Sequence, residues 1–328
     1  MKQTGFRGGS SLIHGLLAAT MTLPLGHQAI AAPPVVPALE VPANAEHHVG
    51  KVIWSDLVTP DLSQAKRFYG ELFGWTFRTI EGSQEGYAIA EIEGRPVAGL
   101  LQRKGLASEH KQPGWLPFLA VLDVENTERL TLQHGGKVLR EPRSFPDRGR
   151  QAVFADPEGA PFAVLASTSG DPPDFLPVAG EWIWCSLLAQ DVDQEAAFYQ
   201  ALFGYEAFVL PSPDGSEHIV LSADDYARVG ANSLPVAAAE PTRQAGAADP
   251  AKPPSAAGAP HPAAHWFSFV RVDDAVASSA RAVALGGRVL VEAHRDRHGD
   301  RLAVVSDPSG APLGLMEWSE DHVMDAPK

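Results

Sequence analysis

The sequence predicts an α+β fold of four βαβββ units, paired into two domains that each form a curved mixed sheet around a cavity. The first observation is a repeat: the segment Asp61–Trp75 returns as Asp191–Tyr205, displaced by 130 residues. The second is the motif Asp-Pro-x-Gly-Ala-Pro, which occurs at Asp156–Pro161 and again at Asp307–Pro312. Strand-like runs surround both repeats. Together they predict that one order of elements occurs twice in each half.

The repeated segment Asp61–Trp75 is predicted to be an amphipathic helix. Asp61 and Gln64 have the residue types and spacing of a helix start, and Gly74 supplies a C-terminal stop. The second copy has the same signals, but Glu195 interrupts its apolar stripe. The stripe of the first copy is formed by Leu62, Ala65, Phe68, Tyr69, Leu72 and Phe73. Each helix is expected to lay one face on an apolar surface.

The other elements follow from short apolar runs that are separated by turn residues. In the first unit one strand precedes the helix and three follow it: Lys51–Val58, Trp75–Ile80, Tyr87–Ile92 and Pro96–Leu101. The second unit repeats that order with a helix at about Glu125–Gln133 and strands at Leu116–Leu122, Lys137–Arg140, Gln151–Ala155 and Phe162–Ala166. The second half matches the first through pairs such as Trp54/Trp184 and Trp115/Trp266.

Composition divides the rest of the chain. Lys2, Arg7, an interrupted apolar run and the sequence Ala29-Ile30-Ala31 are typical of a secretory signal peptide. A stretch rich in Ala, Pro and Gly in the second half has too few large apolar residues to fold, so we expect a mobile loop there. The predicted segments are a signal peptide at 1–31, an extended spacer at 32–49, the first domain at 50–168, a linker at 169–180, the second domain at 181–319 with its insertion at 235–262, and a tail at 320–328.

Charge and cysteine content narrow the classes of partner. The formal net charge is −14, and it becomes −16 when Lys2 and Arg7 are removed with the signal peptide. This argues against nucleic acid and, after cleavage, against membrane surfaces. Cys185 is the single cysteine, so no intrachain disulfide can form, which is compatible with a bacterial periplasm. We therefore expect an exported protein with a small-molecule ligand; a monomer is plausible because two pairs of units share one chain.

The sequence resembles the vicinal oxygen chelate superfamily, which includes glyoxalase I, bleomycin-resistance proteins and extradiol dioxygenases. The resemblance rests on the strand and helix signature from Trp54 through Asp61 and Phe68-Tyr69 to Trp75, on its echo at 184–205, and on the two Asp-Pro-x-Gly motifs. It covers nearly all of both predicted domains. It implies tandem glyoxalase-like domains, but one fold of this kind supports many chemistries.

The resemblance also implies where a metal would be held. In the metal-dependent members, His, Gln or Glu side chains project into the cavity from the first and last strands of the units. The corresponding positions in this chain are Trp54, Leu116 and Ala163 in the first half and Trp184, Phe267 and Gly314 in the second. None has a donor atom for a divalent metal, so we expect neither a metal site nor a cofactor. A slip in register could still bring in His265 or Glu317, whereas the adjacent His47 and His48 should point in opposite directions.

Aromatic residues are predicted to line each cavity instead. By period two, Trp54 and Asp56 share one strand face, as do Trp184 and Ser186. We expect the ligand to contact these tryptophans and Ser186, together with Phe118 and Phe269. Asp56, beside an indole in a partly dry pocket, is the candidate catalytic residue, either as a general base with a raised pKa or as a ligand anchor. The alternative is a structural Asp56 that is hydrogen-bonded to the backbone near the sheet edge.

Arginine-rich turns lie before both Asp-Pro-x-Gly motifs. In the first half this turn contains Arg148 and Arg150, and its counterpart runs from His294 to Arg301. These arginines could clamp a carboxylate or phosphate at the cavity mouth, or they could be solvated turn residues paired with neighbouring acids.

These observations predict an exported, metal-free protein that binds a small apolar or aromatic molecule in cavities lined by Trp54 and Trp184. One alternative is a metal-dependent lyase or dioxygenase with displaced ligands such as His265 and Glu317. Another is a structural or partner-binding protein whose cavities are filled by its own side chains.

Overall fold

The computed structural model describes residues 36–81, 86–106, 112–210, 218–224, 226–233, 264–295 and 299–318. The predicted signal peptide, the insertion at 235–262 and the tail at 320–328 lie outside the described residues. The described residues belong to one compact unit. None of the described helices is long and apolar enough to cross a membrane.

The first half forms one eight-stranded mixed sheet, as predicted. Its elements are β1 (Val52–Thr59), α1 (Leu62–Phe73), β2 (Thr76–Ile80), β3 (Tyr87–Ile92), β4 (Arg95–Gln102), β5 (Gly114–Ala120), α2 (Val124–Gln133), β6 (Lys137–Phe145), β7 (Gly149–Ala155) and β8 (Pro161–Ser167). The strand order is β2-β3-β4-β1-β5-β8-β7-β6. Strand β1 runs parallel to β4 and antiparallel to β5, so the two βαβββ units join at the centre of the sheet.

The second half repeats this topology. Its elements are β9 (Trp182–Ala189), α3 (Val192–Phe203), β10 (Glu206–Leu210), β11 (His218–Ala223), β12 (Tyr226–Ser233), β13 (His265–Arg271), α4 (Ala275–Ala284), β14 (Arg288–Arg295), β15 (Arg301–Ser306) and β16 (Pro312–Met316). The strand order is β10-β11-β12-β9-β13-β16-β15-β14. The prediction of four βαβββ units in two sheets is confirmed.

Several predicted strand boundaries differ from the structure by two or more residues. The strand predicted to end at Leu122 ends at Ala120, and Leu122 is 69% exposed. The strand predicted to end at Arg140 continues as β6 to Phe145. Register shifts between Val138 and Arg140 and again before Arg143 break the alternation of β6, so a period-two pattern cannot trace it.

The helix ends follow the predicted signals. The Asp61 carboxylate accepts a hydrogen bond from Gln64 N at 2.9 Å, and Asp191 accepts one from Gln194 N at the same distance. Each cap satisfies a backbone N–H that the first turn leaves unpaired. At the other end Gly74 adopts φ of 75°, which glycine reaches without steric cost. Local chemistry therefore fixes where α1 and α3 begin and end.

The helix-covered faces of the two sheets pack against each other's half of the chain, which the repeats alone do not predict. Each half is large enough to form a core of its own, but one apolar cluster combines α1 with strands β13, β15 and β16, and another combines α3 with β5, β7 and β8. Polar contacts cross in the same way: Tyr69 Oη donates to Asp307 Oδ2 at 3.3 Å, and Tyr199 Oη donates to Asp156 Oδ2 at 3.0 Å. The halves therefore stabilise each other through two shared cores.

The described part of the predicted spacer, residues 36–48, is an irregular segment that we call the N-terminal strap. It contains no helix or strand, as expected, but it is not a free tether. Leu39 is only 7% exposed and packs against the concave face of the first sheet. The backbone N–H groups of Leu39 and Glu40 both donate to Ser169 Oγ at 3.1 Å. The strap therefore covers the cavity that the first half was predicted to contain.

Candidate functional site

The concave face of the first sheet carries three of the predicted site residues. Trp54 on β1 lies opposite Phe118 on β5, and Phe118 lies beside Ala163 on β8. These residues belong to a buried apolar cluster formed by Leu39, Ile53, Trp54, Ile80, Tyr87, Ile89, Phe118, Ala120, Ala163 and Leu165. With Leu39 in place, this face is an apolar core, so Trp54 and Phe118 can meet a ligand only if the strap moves.

Asp56 lies in the same face as Trp54, as predicted. Its Oδ1 atom accepts hydrogen bonds from Trp54 Nε1 at 2.8 Å and from Tyr87 Oη at 2.7 Å. A side chain on the adjacent Gly99 would place its Cβ 2.0 Å from that oxygen, so a glycine is needed there. Burial raises the pKa of Asp56 above its ordinary value, against the opposing effects of Tyr87, Trp54 and the charge of Arg148. Asp56 is therefore held by side chains and not, as in the structural alternative, by the backbone.

The two arginines of the first turn have different environments. Arg150 is partly exposed and pairs with Glu125, which fits the alternative of a solvated turn residue. Arg148 is 2% exposed, and its guanidinium carbon lies 4.1 Å from the centre of the Trp54 ring. Its Nη1 atom is buried and has no hydrogen-bond partner. Burial lowers the pKa of Arg148, because removal from water disfavours the cation.

The concave face of the second sheet repeats the arrangement with different side chains. Trp184 Nε1 donates to Ser186 Oγ at 2.9 Å, as Trp54 does to Asp56. Phe269 lies opposite Trp184, and Phe267 lies opposite Ser186. The two phenylalanine rings meet edge to face with their centres 5.0 Å apart. The predicted residues Trp184, Ser186 and Phe269 therefore lie together on one surface.

Two polar residues of this surface, His218 and Asn232, were not predicted from the sequence as site residues. His218 on β11 and Asn232 on β12 correspond in register to Tyr87 and Leu101 of the first half. His218 Nδ1 and Asn232 Oδ1 are 2.7 Å apart. The signal that could have found them is the repeat itself, because aligning β3 with β11 and β4 with β12 shows polar residues replacing an aromatic and an aliphatic one.

The second concave face differs from the first in burial. Ser186 and Phe267 are buried, whereas Trp184, His218, Asn232 and Phe269 remain partly exposed. Among the described residues, none of the buried apolar clusters includes Trp184, Phe267 or Phe269. This face therefore presents aromatic surface and hydrogen-bonding groups side by side, the combination that ligand sites use.

The described residues do not fit the metal that the family resemblance implies. The six expected ligand positions are occupied by indole, phenyl and aliphatic groups or by hydrogen, none of which donates to a metal. His265 and Glu317, the alternative ligands considered from the sequence, cannot form a metal site in their place. Glu317 follows β16 at the level of the C-terminal end of β13, whereas His265 begins β13, about 20 Å away at the usual rise per residue. Glu317 also caps α4 by accepting a hydrogen bond from Ala275 N at 2.8 Å.

No other cluster of ligating side chains was found in the part of the chain that the structure describes. In those ranges, no group of three or more His, Cys, Asp or Glu residues could hold a metal ion. His47 turns toward Asp171 and His48 toward Asp224, so the adjacent histidines diverge as predicted. His298, in the second arginine-rich turn, lies outside the described residues.

Comparison with known sequences places the chain in a family. The family model of the glyoxalase-like domain matches twice, at residues 53–165 and 183–316. A protein of Mycobacterium tuberculosis that carries the provisional name glyoxylase CFP32 is 31% identical, and the alignment covers 84% of this chain and 98% of that protein. The anthracycline biosynthesis protein DauV of Streptomyces sp. (strain C5) is 29% identical over 83% of this chain and 95% of its own length.

Solved structures show the same fold at low sequence identity. The Mn(II)-bound glyoxalase from Novosphingobium aromaticivorans superposes with a TM-score of 0.55 at 15% identity, covering 83% of each chain. The 2,3-dioxygenase LapB from Pseudomonas sp. KL28 gives a TM-score of 0.54 at 14% identity and covers 84% of this chain and 94% of that one. With two matched glyoxalase-like domains and the eight-stranded sheets described above, the chain belongs to the glyoxalase-like family, as a two-domain member of the vicinal oxygen chelate superfamily.

Proposed function

We propose that this protein binds a small molecule with an aromatic or apolar body on the concave face of its second sheet, without the metal ion of its metal-dependent relatives. The observation that carries the proposal is the partly exposed pair Trp184 and Phe269 beside Ser186, His218 and Asn232. Stacking on aromatic side chains contributes affinity, and the polar groups fix the orientation of the ligand.

The polar groups suit a ligand with hydroxyl or carbonyl substituents. Ser186 Oγ already accepts the Trp184 N–H, so its own proton is available to donate. Asn232 adds an amide, and His218 an imidazole whose Nδ1 contacts that amide. A hydroxylated polycyclic aromatic molecule would use both kinds of surface. The relative named as an anthracycline biosynthesis protein supports this class, since anthracyclines contain such a ring system.

The decisive experiment measures binding of 1,4-dihydroxyanthraquinone to the purified protein by equilibrium dialysis. We expect Trp184→Ala and Phe269→Ala each to weaken binding by about tenfold or more, because each removes a stacking surface. Phe175→Ala is the matched control, since Phe175 is an exposed aromatic residue of the linker, at 55% exposure. Equal effects of all three substitutions would contradict the proposal.

The two other candidate functions predict different outcomes. A metal-dependent lyase or dioxygenase would contain stoichiometric transition metal when purified without chelators or a histidine tag, and chelation would abolish its activity. A structural or partner-binding protein with filled cavities would show no rise in melting temperature with any apolar ligand. We prefer a metal-free binding site for two reasons. The expected ligand positions of the second half, Trp184, Phe267 and Gly314, have no donor atom for a metal, and Trp184 is partly exposed.

Asp56 keeps its proposed catalytic role only in a state in which the strap is displaced, because Leu39 packs into the cluster above it.

We further propose that the protein is exported to a periplasm and acts as a monomer. The pattern at residues 1–31 supports export, and the two shared cores support a monomer, because they bury within one chain the faces that single-pair proteins would have to bury by association. The mass of the mature protein tests the first proposal, and sedimentation tests the second.

A further inference from the structure

We infer that the concave face of the first sheet is a second ligand site, which binds a small organic anion with an apolar body, using Arg148 as the charge partner and the N-terminal strap as a displaceable cover. This inference goes beyond the function proposed for the second sheet. It would assign to the two halves ligands of different charge.

The first step is the state of Arg148. Its side chain is almost completely buried, at 2% exposure, and Nη1 has no hydrogen-bond partner. A buried N–H group of a cation that lacks a hydrogen bond is unfavourable, and proteins normally pair such groups. The Trp54 ring, 4.1 Å from the guanidinium carbon, attracts the cation but cannot accept a conventional hydrogen bond in its place. The unused N–H is therefore available to an anion.

The second step is that the neighbouring carboxylate does not fill this role. Asp56 Oδ1 is occupied by the Trp54 and Tyr87 donors. Among the described residues, no carboxylate forms a salt bridge with Arg148. Burial raises the pKa of Asp56 even though the charge of Arg148 acts in the opposite direction. A ligand carboxylate would supply the missing charge.

The third step is the strap. Leu39 belongs to the buried apolar cluster that also contains Trp54 and Phe118, where the body of a ligand would pack. At Leu39 and Glu40 the strap is tied through one hydroxyl, Ser169 Oγ, which accepts from both backbone N–H groups. Farther along the strap, Asn44 N donates to Ser169 O at 2.9 Å and His48 N donates to Asp171 Oδ2 at 2.7 Å. The neighbouring Thr168 N donates to the carbonyl of Arg148 at 3.3 Å, so the anchor of the strap and the buried cation are adjacent.

A groove lies beside this site at the surface. A groove of about 490 Å³ runs between the strap and the turn that precedes Arg148, with Pro37 and Glu40 on one side and Pro146 and Asp147 on the other. This volume is in the range of small-molecule sites. A ligand that enters along the groove and lifts Leu39 would reach Trp54 and Arg148.

The test compares 1-naphthylacetate with its neutral isostere 1-naphthylacetamide by calorimetry on the mature full-length protein. We expect Leu39→Ala to bind the acid about tenfold more tightly than the wild type does, because the cover is weakened, and to prefer the acid over the amide. Arg148→Met in the Leu39→Ala background should remove that preference. Arg150→Met, on the same turn but partly exposed and paired with Glu125, is the matched control and should retain that preference.

Several results would overturn the inference. These are equal affinities of Leu39→Ala for acid and amide, unchanged acid binding after Arg148→Met, and unchanged affinity after Leu39→Ala. If Arg148→Met lowers the melting temperature too far for a comparison, Arg148→Lys replaces it. This variant keeps the positive charge, so it should still prefer the acid over the amide. It should bind the acid more weakly, because lysine lacks the planar fork of the guanidinium group. Phe269→Ala should leave acid binding intact. If it abolished acid binding, the anion would bind at the second sheet, and the inference would fail while the proposed function stood.

Discussion

The two concave faces share one backbone plan and differ in what occupies them. In both, a tryptophan on the central strand donates its N–H to the residue two positions later, and a phenylalanine lies opposite the tryptophan. The first face contains Asp56, Tyr87 and Leu39 and is buried, whereas the second has Ser186, His218 and Asn232 and stays partly exposed. A duplicated scaffold can therefore keep one face buried as a core and leave the other partly exposed.

The largest expected effect tests this difference in packing directly. Phe118→Ala should lower the free energy of unfolding by about 4 kcal/mol, because it opens a cavity in a fully packed cluster. Phe269→Ala, at the equivalent position, should cost only about 1 kcal/mol, since its ring is already partly exposed. Urea unfolding of both variants measures the two values. Equal losses would show that the second face is packed as tightly as the first.

The glycines beside the two central strands give the next comparison. A Cβ at Gly99 would lie 2.0 Å from Asp56 Oδ1 and 2.1 Å from Tyr87 Oη, whereas a Cβ at Gly230 would lie 2.9 Å from Ser186 Oγ. We expect Gly99→Ala to cost about 3 kcal/mol and Gly230→Ala about 1 kcal/mol. The midpoints of thermal unfolding should separate accordingly. A larger loss for Gly230→Ala would mean that the second face has less room than its exposure indicates.

The third comparison concerns the shared cores, where Glu195 of α3 occupies the place that Ala65 holds in α1. Glu195 is fully buried; its Oε1 accepts from Glu158 N, and its Oε2 has no partner. Burial, followed by the charges of Asp156 and Glu158, raises its pKa from 4.5 to about 8. The folded protein therefore retains a proton that the unfolded chain has released, and its stability decreases as the pH rises between these values.

Glu195→Gln should remove this pH dependence. We expect the variant to be roughly 2 kcal/mol more stable relative to the wild type at pH 8 than at pH 6, because the amide needs no proton to be neutral. Urea unfolding at a series of pH values measures the difference. Glu206→Gln, at an exposed position on β10, is the control and should follow the wild type. An unchanged slope for Glu195→Gln would show that Glu195 is not the group that titrates.

The smallest effect should be the same in both halves. Asp61→Ala and Asp191→Ala each remove a side-chain cap with a 2.9 Å hydrogen bond and should each cost about 1 kcal/mol. Differential scanning calorimetry can compare their melting temperatures. A marked difference would mean that the two helix starts are supported differently by the shared cores.

The features that could be predicted from the sequence depend on neighbours a few residues apart. Local spacing and period predict the helix caps at Asp61 and Asp191 and the four repeated units. They also predict that Trp54 and Asp56 lie on one strand face. The placement of Phe118 and Phe269 beside the two tryptophans follows from the antiparallel pairing of adjacent units. Within β6, where register shifts interrupt the alternation, the same reasoning failed.

The sequence by itself determined the fold class, the duplication and the lack of metal donors at the family's ligand positions. Only the tertiary structure decided that residues 36–48 cover the first cavity, that Arg148 is buried while Arg150 is not, and that α1 and α3 pack on the opposite halves. The physical reason is the range of the interactions. Leu39 and its anchor Ser169 are separated by 130 residues, and no local pattern records a contact between segments that meet only after both sheets have formed.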